Sequence, residues 1–424
     1  MPNSFVIACL LTLITFALVI GVAGKSFLDA EGYWTKGFWE LLELTMQLAL
    51  IVITGYIVAV SPLMSRLLAR VADLARTDRA AVALRGLVSM TASWLHWGLG
   101  LIAGPIFLRF LIRKHPRVDY RLAVAAGYLG STCTWHAGLS GSAPLLMATP
   151  KNFMEAQVGL VPISATTFSL FNLALTALVV CVMTAMLLRL YPAKPEAHVA
   201  APETTDDSHV LPGAQPLWIE RTYALNLVIG ILGAIGLWSL YVEGGSRISL
   251  NVFNFSFLFL ALVLHPSPSS FTRAAAQGAT YLHGIVIQFP FYAGMYGLIK
   301  YSGLAEIIAR WFTSIASTKT FPIFIYWYSG VLSFFIPSGG SKWAVEAPYV
   351  MAAAKALNVP AAHAILAYAW GDMSTHFLQP FWAIPLLAIA RVEFKDIVGY
   401  LAILFVVNFV VVSAAFMLLP YLIS

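Results

Sequence analysis

Long apolar segments without charged residues constrain this chain more than any other feature of its sequence. Such runs approach or reach the roughly 20 residues that a helix needs to cross a bilayer, at 5–22, 41–60, 168–188, 223–241, 250–264, 284–299 and 400–422. The chain is 60% hydrophobic and only 10% charged, whereas soluble domains are about one-quarter charged. The sequence therefore predicts an all-α protein that crosses a membrane several times.

Several other classes of protein are excluded by what these segments lack. Run 5–22 is interpreted as a first transmembrane helix rather than a cleaved signal peptide, because no Lys or Arg precedes it. Cys9, Cys133 and Cys181 lie in apolar segments, so they indicate neither disulfides nor a metal site. No phosphate-binding loop is present, and the net charge of +6 is attributed to loops on one side of the membrane. We therefore expect no cofactor and no nucleic-acid partner.

The same order of landmarks occurs twice, which indicates an internal repeat. Gly98 precedes Tyr128 by nearly the interval that separates Gly339 from Tyr368. An amphipathic stretch comes before each glycine, and a polar segment that ends in Pro-Leu-Leu follows each tyrosine. Matching order and spacing of this kind predict two homologous halves.

Two interrupted apolar segments, at about 80–113 and about 320–356, are predicted to be re-entrant hairpins. Basic residues flank the first segment on both sides, and such clusters prefer the cytoplasmic face. Both ends of that segment are therefore expected on the same side of the membrane. Non-helical tips at membrane depth are tolerated only where they are buried in protein or line a watery cavity.

The predicted architecture has about nine transmembrane helices plus the two hairpins, arranged as two inverted-topology repeats. The repeats occupy 1–192 and 246–424, and 193–245 holds a cytoplasmic linker and a connecting helix. An excess of Lys and Arg on one side predicts a bacterial inner-membrane protein with a cytoplasmic N-terminus, surrounded by lipid. This plan is typical of ion-coupled secondary transporters.

Four polar breaks, at 96–100, 134–142, 338–342 and 372–379, are expected to converge on a substrate site. Half-helix N-termini bind anions through free N–H groups and a positive dipole end. The candidate substrate-binding residues are Ser338, Gly339, Gly340, Ser341, Lys342, Trp97, Gly98, Gly100, Ser140, Ser142, Thr375 and Gln379. For any single Gly or Ser, close helix packing is the competing interpretation. Mid-segment tryptophans, Trp135 and Trp382 among them, are expected to form an apolar wall.

Ionisable residues inside membrane segments form a second group of candidates, because charge is expensive to bury there. Lys342 and Glu346 are four residues apart, as are Asp372 and His376, so each pair shares a helix face. They are interpreted either as fixed ion pairs or as a substrate counter-charge, Lys342, with a protonatable coupling group at Asp372. The candidate coupling residues are Asp372, His376, His96, His136 and Glu346. The coupling ion is expected to be H+ or Na+, with Na+ bound at the hairpin tips.

Several motifs along nearly the whole chain are together specific to one family. They lie at 37–42, 46–51, 97–100, 139–142, 288–294, 336–340 and 379–383. In these motifs the chain resembles the short-chain fatty acid transporter family, the acetoacetate/butyrate-type permeases. The resemblance implies ion-coupled uptake of small monocarboxylates, an elevator motion and a homodimer.

The chain departs from that family's pattern within the proposed site. His96 stands where Asn is expected, Lys342 replaces His, and Glu346 replaces Gln. Asp372-Met-Ser-Thr-His376 stands where Glu-Gln-Trp-Met-Asn is usual. A longer acid or a dicarboxylate is therefore an alternative substrate.

Two other functional classes deserve comparison with a transporter. Gly138-Leu-Ser140-Gly141 matches a short motif of intramembrane serine proteases, which use that serine as nucleophile. No downstream His begins the partner motif of those enzymes, so a protease that uses Ser140 is a remote alternative. A channel is a third interpretation. We expect a transporter and not an enzyme.

Overall fold

A computed structural model describes residues 4–196, 217–243, 248–336, 338–379 and 381–422 of the protein. Within those ranges the chain is helical and contains no β-strand, as the apolar runs predicted. The helices of the first half are α1 (Ser4–Gly21), α2 (Phe27–Phe38), α3 (Leu42–Ala59), α4 (Pro62–Ala72), α5 (Asp78–Leu95), α6 (Trp97–Lys114), α7 (Tyr120–Cys133), α8 (Ser142–Met147), α9 (Glu155–Val158) and α10 (Leu170–Leu190).

The second half repeats this helical character. Its helices are α11 (Trp218–Arg221), α12 (Tyr223–Glu243), α13 (Leu250–Val263), α14 (Pro268–Ala279), α15 (His283–Ser302), α16 (Leu304–Ile315), α17 (Phe321–Phe335), α18 (Gly339–Ala356), α19 (Ala361–Ser374), α20 (Ile384–Ala390) and α21 (Phe394–Leu422). Two short 3₁₀ turns, Thr375–Leu378 and Phe381–Ala383, separate α19 from α20. Most of the predicted linker, at 197–216, lies outside the described residues, as do 244–247.

Four of the described helices are long and apolar enough to cross a membrane: Leu42–Ala59, Leu170–Leu190, Tyr223–Val242 and Phe394–Pro420. Helices α14 and α15 meet at a bend of 49° and would supply a fifth span if they are counted together. Shorter apolar helices occur at Phe5–Gly21, Leu250–Val263 and Phe321–Phe335. These lengths fit a membrane protein, and the count of about nine crossings stays a prediction.

The first hairpin consists of α5 and α6, which pack against each other. Thr77 caps the start of α5 by accepting the backbone N–H of Ala80. The helix ends at His96, whose backbone is extended (φ −160°, ψ 112°), and α6 begins at the next residue. The interruption is therefore at His96 and not at Gly98 and Gly100, which lie in the first turn of α6.

The second hairpin consists of α17 and α18. Ser338 is extended (φ −151°, ψ 106°) and precedes α18, while position 337 lies outside the described residues. Here Gly339 and Gly340 open the helix directly. The two breaks therefore occur where the sequence predicted them, near each glycine pair.

The two halves pack their helices in matching ways. In the first half α6 packs on α3 and α4, and α5 packs along α7 and α10. In the second half α18 packs on α15 and α16, and α17 packs along α19 and α21. The halves also exchange elements, because α1 and α2 pack on α15 whereas α13 and α14 pack on α3.

Two further helices are broken near the hairpin tips. Helix α7 ends at Cys133, and turns lead from there to α8 at Ser142. Helix α19 ends at Ser374 and continues as a 3₁₀ turn. The predicted break at 134–142 is confirmed, whereas the one predicted at 372–379 begins only after Ser374. Helix α8 packs on α18 and α19, which brings these polar segments of the two halves together.

Candidate substrate site

A cavity of about 520 Å³ lies where the two hairpin tips meet the broken helices. This figure counts all the empty space between these elements, including space that is open to solvent. Its polar and small lining residues are Ser131, Ser142, Ser338, Gly339, Gly340 and His376. Its apolar lining residues are Leu48, Trp97, Leu101, Trp135, Ile285, Phe289 and Trp382. The cavity is therefore mainly apolar, with its polar groups gathered around the start of α18.

The start of α18 lies at this cavity, because Ser338, Gly339 and Gly340 line it. The first bond within the helix runs from the Lys342 N–H to the Ser338 carbonyl at 2.9 Å. The Ser338 side chain makes no capping hydrogen bond. The N–H groups of Gly339, Gly340 and Ser341 precede that bond, and such first-turn groups have no partner within their helix. Together with the positive end of the helix dipole, they form a setting suited to a carboxylate.

Glycine is required at the tip because aromatic side chains approach the backbone closely. A Cβ on Gly339 would lie 2.5 Å from the Trp135 ring and 2.8 Å from the His136 ring. A Cβ on Gly340 would lie 2.5 Å from a methyl group of Leu48. Any side chain on Gly339 would therefore displace two rings.

The first tip differs, because two of its backbone N–H groups already have side-chain partners. The Trp97 N–H donates to Ser140 Oγ at 2.8 Å, and the Leu99 N–H donates to His96 Nδ1 at 3.3 Å. Ser140 therefore bonds within the protein rather than facing the cavity. Of the tip residues 96–100, Trp97 alone lines the cavity.

Gly98 and Gly100 permit close helix packing, which was the competing interpretation. A Cβ on Gly98 would lie 2.8 Å from the Ile51 carbonyl, and one on Gly100 would lie 2.0 Å from Ser93 Oγ. Neither glycine lines the cavity. The structure thus gives these two residues a packing role, and their contact with substrate stays a prediction.

Aromatic rings form one wall of the cavity. The Trp97 ring centroid lies 6.1 Å from that of Trp135 and 5.8 Å from that of Trp382. The rings of Trp135 and His376 stack with their centroids 6.1 Å apart. The indole N–H groups of Trp97 and Trp382 are buried and have no hydrogen-bond partner in the part of the chain that is described. The wall therefore combines apolar surface with unused donors.

A fully buried charged cluster lies behind the start of α18. Lys342, Glu346, Asp372 and His136 each have 0% side-chain exposure. Lys342 Nζ lies 3.2 Å from an Asp372 oxygen and 3.3 Å from a Glu346 oxygen. It also donates to the carbonyl and hydroxyl of Ser329, at 2.8 and 2.6 Å. The pairing of Lys342 with Glu346, expected from their spacing, is confirmed.

Asp372 pairs with His136 rather than with His376. His136 Nδ1 lies 2.8 Å from Asp372 Oδ2, and His136 Nε2 accepts the Ala143 N–H at 3.1 Å. His376 instead contacts the Ser131 carbonyl at 3.0 Å through Nδ1. The expected Asp372–His376 contact is absent among the described hydrogen bonds, because α19 ends at Ser374 and the 3₁₀ turn changes the register.

The remaining candidates lie beside the cavity. The Thr375 hydroxyl donates to the Gly330 carbonyl at 2.9 Å. Ser341 Oγ and Gln379 Nε2 are buried and without a hydrogen-bond partner within the described ranges. The His96 ring packs on Phe253 at a centroid distance of 5.2 Å. These residues surround the site without lining the cavity.

Two serines of α17 belong to the charged cluster and were missed by the sequence analysis. Ser329 Oγ accepts from Lys342 and donates to the Tyr368 carbonyl at 3.0 Å. Ser333 Oγ lies 2.8 Å from the Asp372 carbonyl and 3.1 Å from its carboxylate. The sequence feature that could have identified them is a pair of serines four residues apart in an otherwise apolar helix. Ser89 and Ser93 form the corresponding pair in α5.

The apolar helices of this fold fit a membrane protein. Two solved transporters share the fold over nearly their whole length. The YdaH transporter of Alcanivorax borkumensis gives a TM-score of 0.62 at 16% identity, with 99% of this chain and 97% of that chain covered. MtrF of Neisseria gonorrhoeae, described as one of a class of antimetabolite efflux pumps, gives 0.57 at 14% identity, with 99% and 95% covered.

Sequence comparison identifies the family. The short chain fatty acid transporter model matches residues 1–419. Proteins named "Putative short-chain fatty acid transporter" are 37% identical in Escherichia coli K12, over 407 residues, and 33% identical in Haemophilus influenzae, over 413 residues. Each match covers 94% of this chain and 92% of the relative. The chain belongs to the short-chain fatty acid transporter family.

Proposed function

We propose that this protein is a secondary active transporter of short-chain monocarboxylates such as butyrate or acetoacetate. The observation that carries the proposal is the uncapped first turn of α18 at a small, mainly apolar cavity. The substrate carboxylate accepts hydrogen bonds from the N–H groups of Gly339, Gly340 and Ser341. Its short acyl chain lies against Trp97 and Trp382.

The charged cluster favours a monocarboxylate over a dicarboxylate. A second carboxylate would require a free cation in the cavity, and the best candidate in the sequence is Lys342. Its ammonium is already held by Asp372, Glu346 and Ser329, and Lys342 does not line the cavity. The lining residues include no lysine or arginine. One carboxylate at the start of α18 is therefore the substrate group that the site can hold.

The two competing classes have less support. Ser140 accepts the Trp97 N–H, and the His136 ring is engaged by Asp372 and Ala143. A serine protease would need a Ser–His contact, which these partners do not provide. A channel would be expected to have a continuous pore, whereas the cavity is backed by a buried ion cluster. A carrier that alternates around an internal site accounts better for this arrangement.

For the topology, we propose two inverted repeats with about nine transmembrane helices and two re-entrant hairpins. The matching packing of α5 with α7 and of α17 with α19 supports this plan, as does the exchange of helices between the halves. The N-terminus lies in the cytoplasm, and the protein resides in the bacterial inner membrane as a homodimer. The hairpins and their bound substrate move together as an elevator, driven by H+ or Na+.

Counterflow in proteoliposomes tests this function. Vesicles loaded with unlabelled butyrate should take up labelled butyrate saturably and faster than protein-free vesicles, which report passive leakage of the neutral acid. Unlabelled butyrate and acetoacetate should compete, whereas the uncharged isostere butyramide should not. Succinate that competes as well as butyrate would favour the dicarboxylate alternative. Uptake that never exceeds the protein-free control would refute the proposal.

A matched pair of variants localises the site within the same assay. Leu101 lines the cavity, so Leu101→Trp fills it and should reduce counterflow at least tenfold. Leu87 lies on the same hairpin but is 39% exposed, so Leu87→Trp should transport as the wild type does. Equal effects of both changes would argue against the cavity as the substrate site.

A further inference from the structure

The buried cluster behind the cavity holds more negative than positive groups. Among the described residues, Lys342 is the one lysine or arginine of the cluster, and two carboxyl groups, Glu346 and Asp372, share its ammonium. All three side chains are fully buried. An uncompensated charge in such a place is strongly disfavoured. The cluster becomes neutral when one of the two carboxyl groups holds a proton.

Hydrogen bonding distinguishes the two carboxyl groups. Asp372 has a full set of partners: Lys342 at 3.2 Å, Ser333 Oγ at 3.1 Å and His136 Nδ1 at 2.8 Å. Neither carboxyl oxygen of Glu346 has a hydrogen-bond partner among the described residues, and its one polar contact is the 3.3 Å approach to Lys342. Hydrogen bonds to a carboxylate stabilise its charged form. Asp372 is therefore the anion of the pair, and Glu346 is the group that binds the proton.

His136, which bonds directly to the cluster, adds no charge, because its Nε2 accepts the Ala143 N–H and only Nδ1 carries a proton. The titratable and charged side chains that face it are Lys342, Asp372, His136 and His376, with the phenols of Tyr328, Tyr349 and Tyr368. Helices α15 and α16 also pack on α18, but their charged residues are engaged elsewhere. Lys300 pairs with Glu40 at 3.1 Å, and Glu306 and Arg310 are exposed.

We propose that Glu346 is the proton-binding site that couples substrate movement to H+. This inference rests on the proposed transport of monocarboxylates and names its coupling ion. In each cycle one carboxylate anion and one proton cross together. The proton enters on the Glu346 carboxylate, converts it to the neutral acid, and returns to water on the other side as the substrate leaves. The loaded cluster gains no net charge.

The short distance between the proposed carboxylate site and Glu346 accounts for the coupling of substrate binding to proton binding. Gly340 and Glu346 lie on one helix, six positions apart, which corresponds to about 9 Å at 1.5 Å per residue. At an effective dielectric constant of about 20, a negative charge at that distance changes the proton affinity of Glu346 roughly twentyfold. Linkage requires that protonation of Glu346 strengthen binding of the anion by the same factor. Proton and carboxylate therefore bind together.

Proton uptake on binding tests the proposal with the intact, purified protein. Butyrate added to the protein in weakly buffered detergent solution should cause proton uptake, which for twentyfold coupling reaches at most about 0.6 proton per butyrate bound. Affinity for butyrate should weaken as pH rises, by up to about fourfold per pH unit and by about twentyfold in all. Infrared spectra of the wild type at neutral pH should gain a carboxylic-acid carbonyl band when butyrate binds.

Two glutamine variants assign these signals. In Glu346→Gln the infrared band and the proton uptake should disappear, and any remaining butyrate binding should be independent of pH. Glu306→Gln, a change at an exposed glutamate of α16, should behave as the wild type does. A carboxylic-acid band or proton uptake that persists in Glu346→Gln overturns the assignment. If that variant does not fold, a wild type with neither signal overturns it equally.

The outcome also separates this inference from the function on which it rests. Saturable counterflow by a wild type that takes up no proton, or one whose accumulation follows a Na+ gradient alone, overturns H+ coupling and leaves transport intact. Absence of counterflow refutes transport itself.

Discussion

The buried ion cluster predicts strong energetic coupling between Lys342 and Asp372. Lys342→Met keeps a similar side-chain volume but removes the ammonium that lies 3.2 Å from Asp372 and 3.3 Å from Glu346. It also removes both hydrogen bonds to Ser329. Removal of one partner from a buried pair destabilises a protein by about 3–5 kcal/mol. Asp372→Asn leaves the ammonium without its best-bonded anion, so we expect a loss of similar size.

The double variant should lose much less than the sum of the two single changes. With both charges gone, Glu346 can stay neutral and no charge is left buried, so we expect a coupling energy of about 2–3 kcal/mol. The free energy of unfolding would be measured by denaturant titration in detergent micelles, followed by tryptophan fluorescence. Lys395 and Glu393, which are 73% and 71% exposed, provide a matched control pair and should show no measurable coupling. Additive losses for Lys342 and Asp372 would refute the reasoning.

Two further predictions concern the tip of α18 and a peripheral ion pair. Gly339→Ala would place a methyl group 2.5 Å from the Trp135 ring, so we expect a loss of stability of about 1–3 kcal/mol and at least tenfold slower butyrate counterflow. Gly21→Ala, with no atom within 4 Å of the new methyl group, should be tolerated, and equal effects would contradict the geometry. Arg121 and Glu196 are 3.2 Å apart and about half to two-thirds exposed, so Arg121→Gln should lower the free energy of unfolding by less than about 1 kcal/mol. If the same denaturant titration gave a larger loss in the free energy of unfolding, the argument that solvent exposure weakens the Arg121–Glu196 ion pair would be wrong.

Features that depend on local chain geometry were predictable from the sequence. Apolar runs gave the helices, and glycine pairs located the two hairpin tips. The contact between Lys342 and Glu346 follows from their four-residue spacing, since such residues are neighbours whenever the helix continues between them. The same rule failed for Asp372 and His376, because the helix ends at Ser374 before reaching the histidine.

Contacts between distant segments were not predictable in the same way. His136 and Asp372 lie 236 positions apart in the chain, and neither carries a local signal of the other. The two tips also look alike in sequence, since each combines glycines with a helix start. The two tips differ because, at the first one, the Trp97 N–H donates a hydrogen bond to Ser140 Oγ. Ser140 lies 43 positions further along the chain. At the second tip the Ser338 side chain makes no such cap.

The packing role of Gly98 and Gly100 has a related cause. Glycine at a helix start is compatible with either a close ligand or a close neighbouring helix. Which of the two roles a glycine has depends on whether a ligand or another helix lies next to it. Here the neighbours are Ile51 of α3, beside Gly98, and Ser93 of α5, beside Gly100. A sequence alone does not reveal those neighbours.

Determination of the structure with bound butyrate tests the central claim most directly. We predict density for the acid in the cavity, with its carboxylate about 2.7–3.2 Å from the N–H groups of Gly339, Gly340 or Ser341. The acyl chain should lie against Trp97 and Trp382. Density for the acid at the first tip, beside Gly98, or in contact with the Lys342 ammonium would contradict the account.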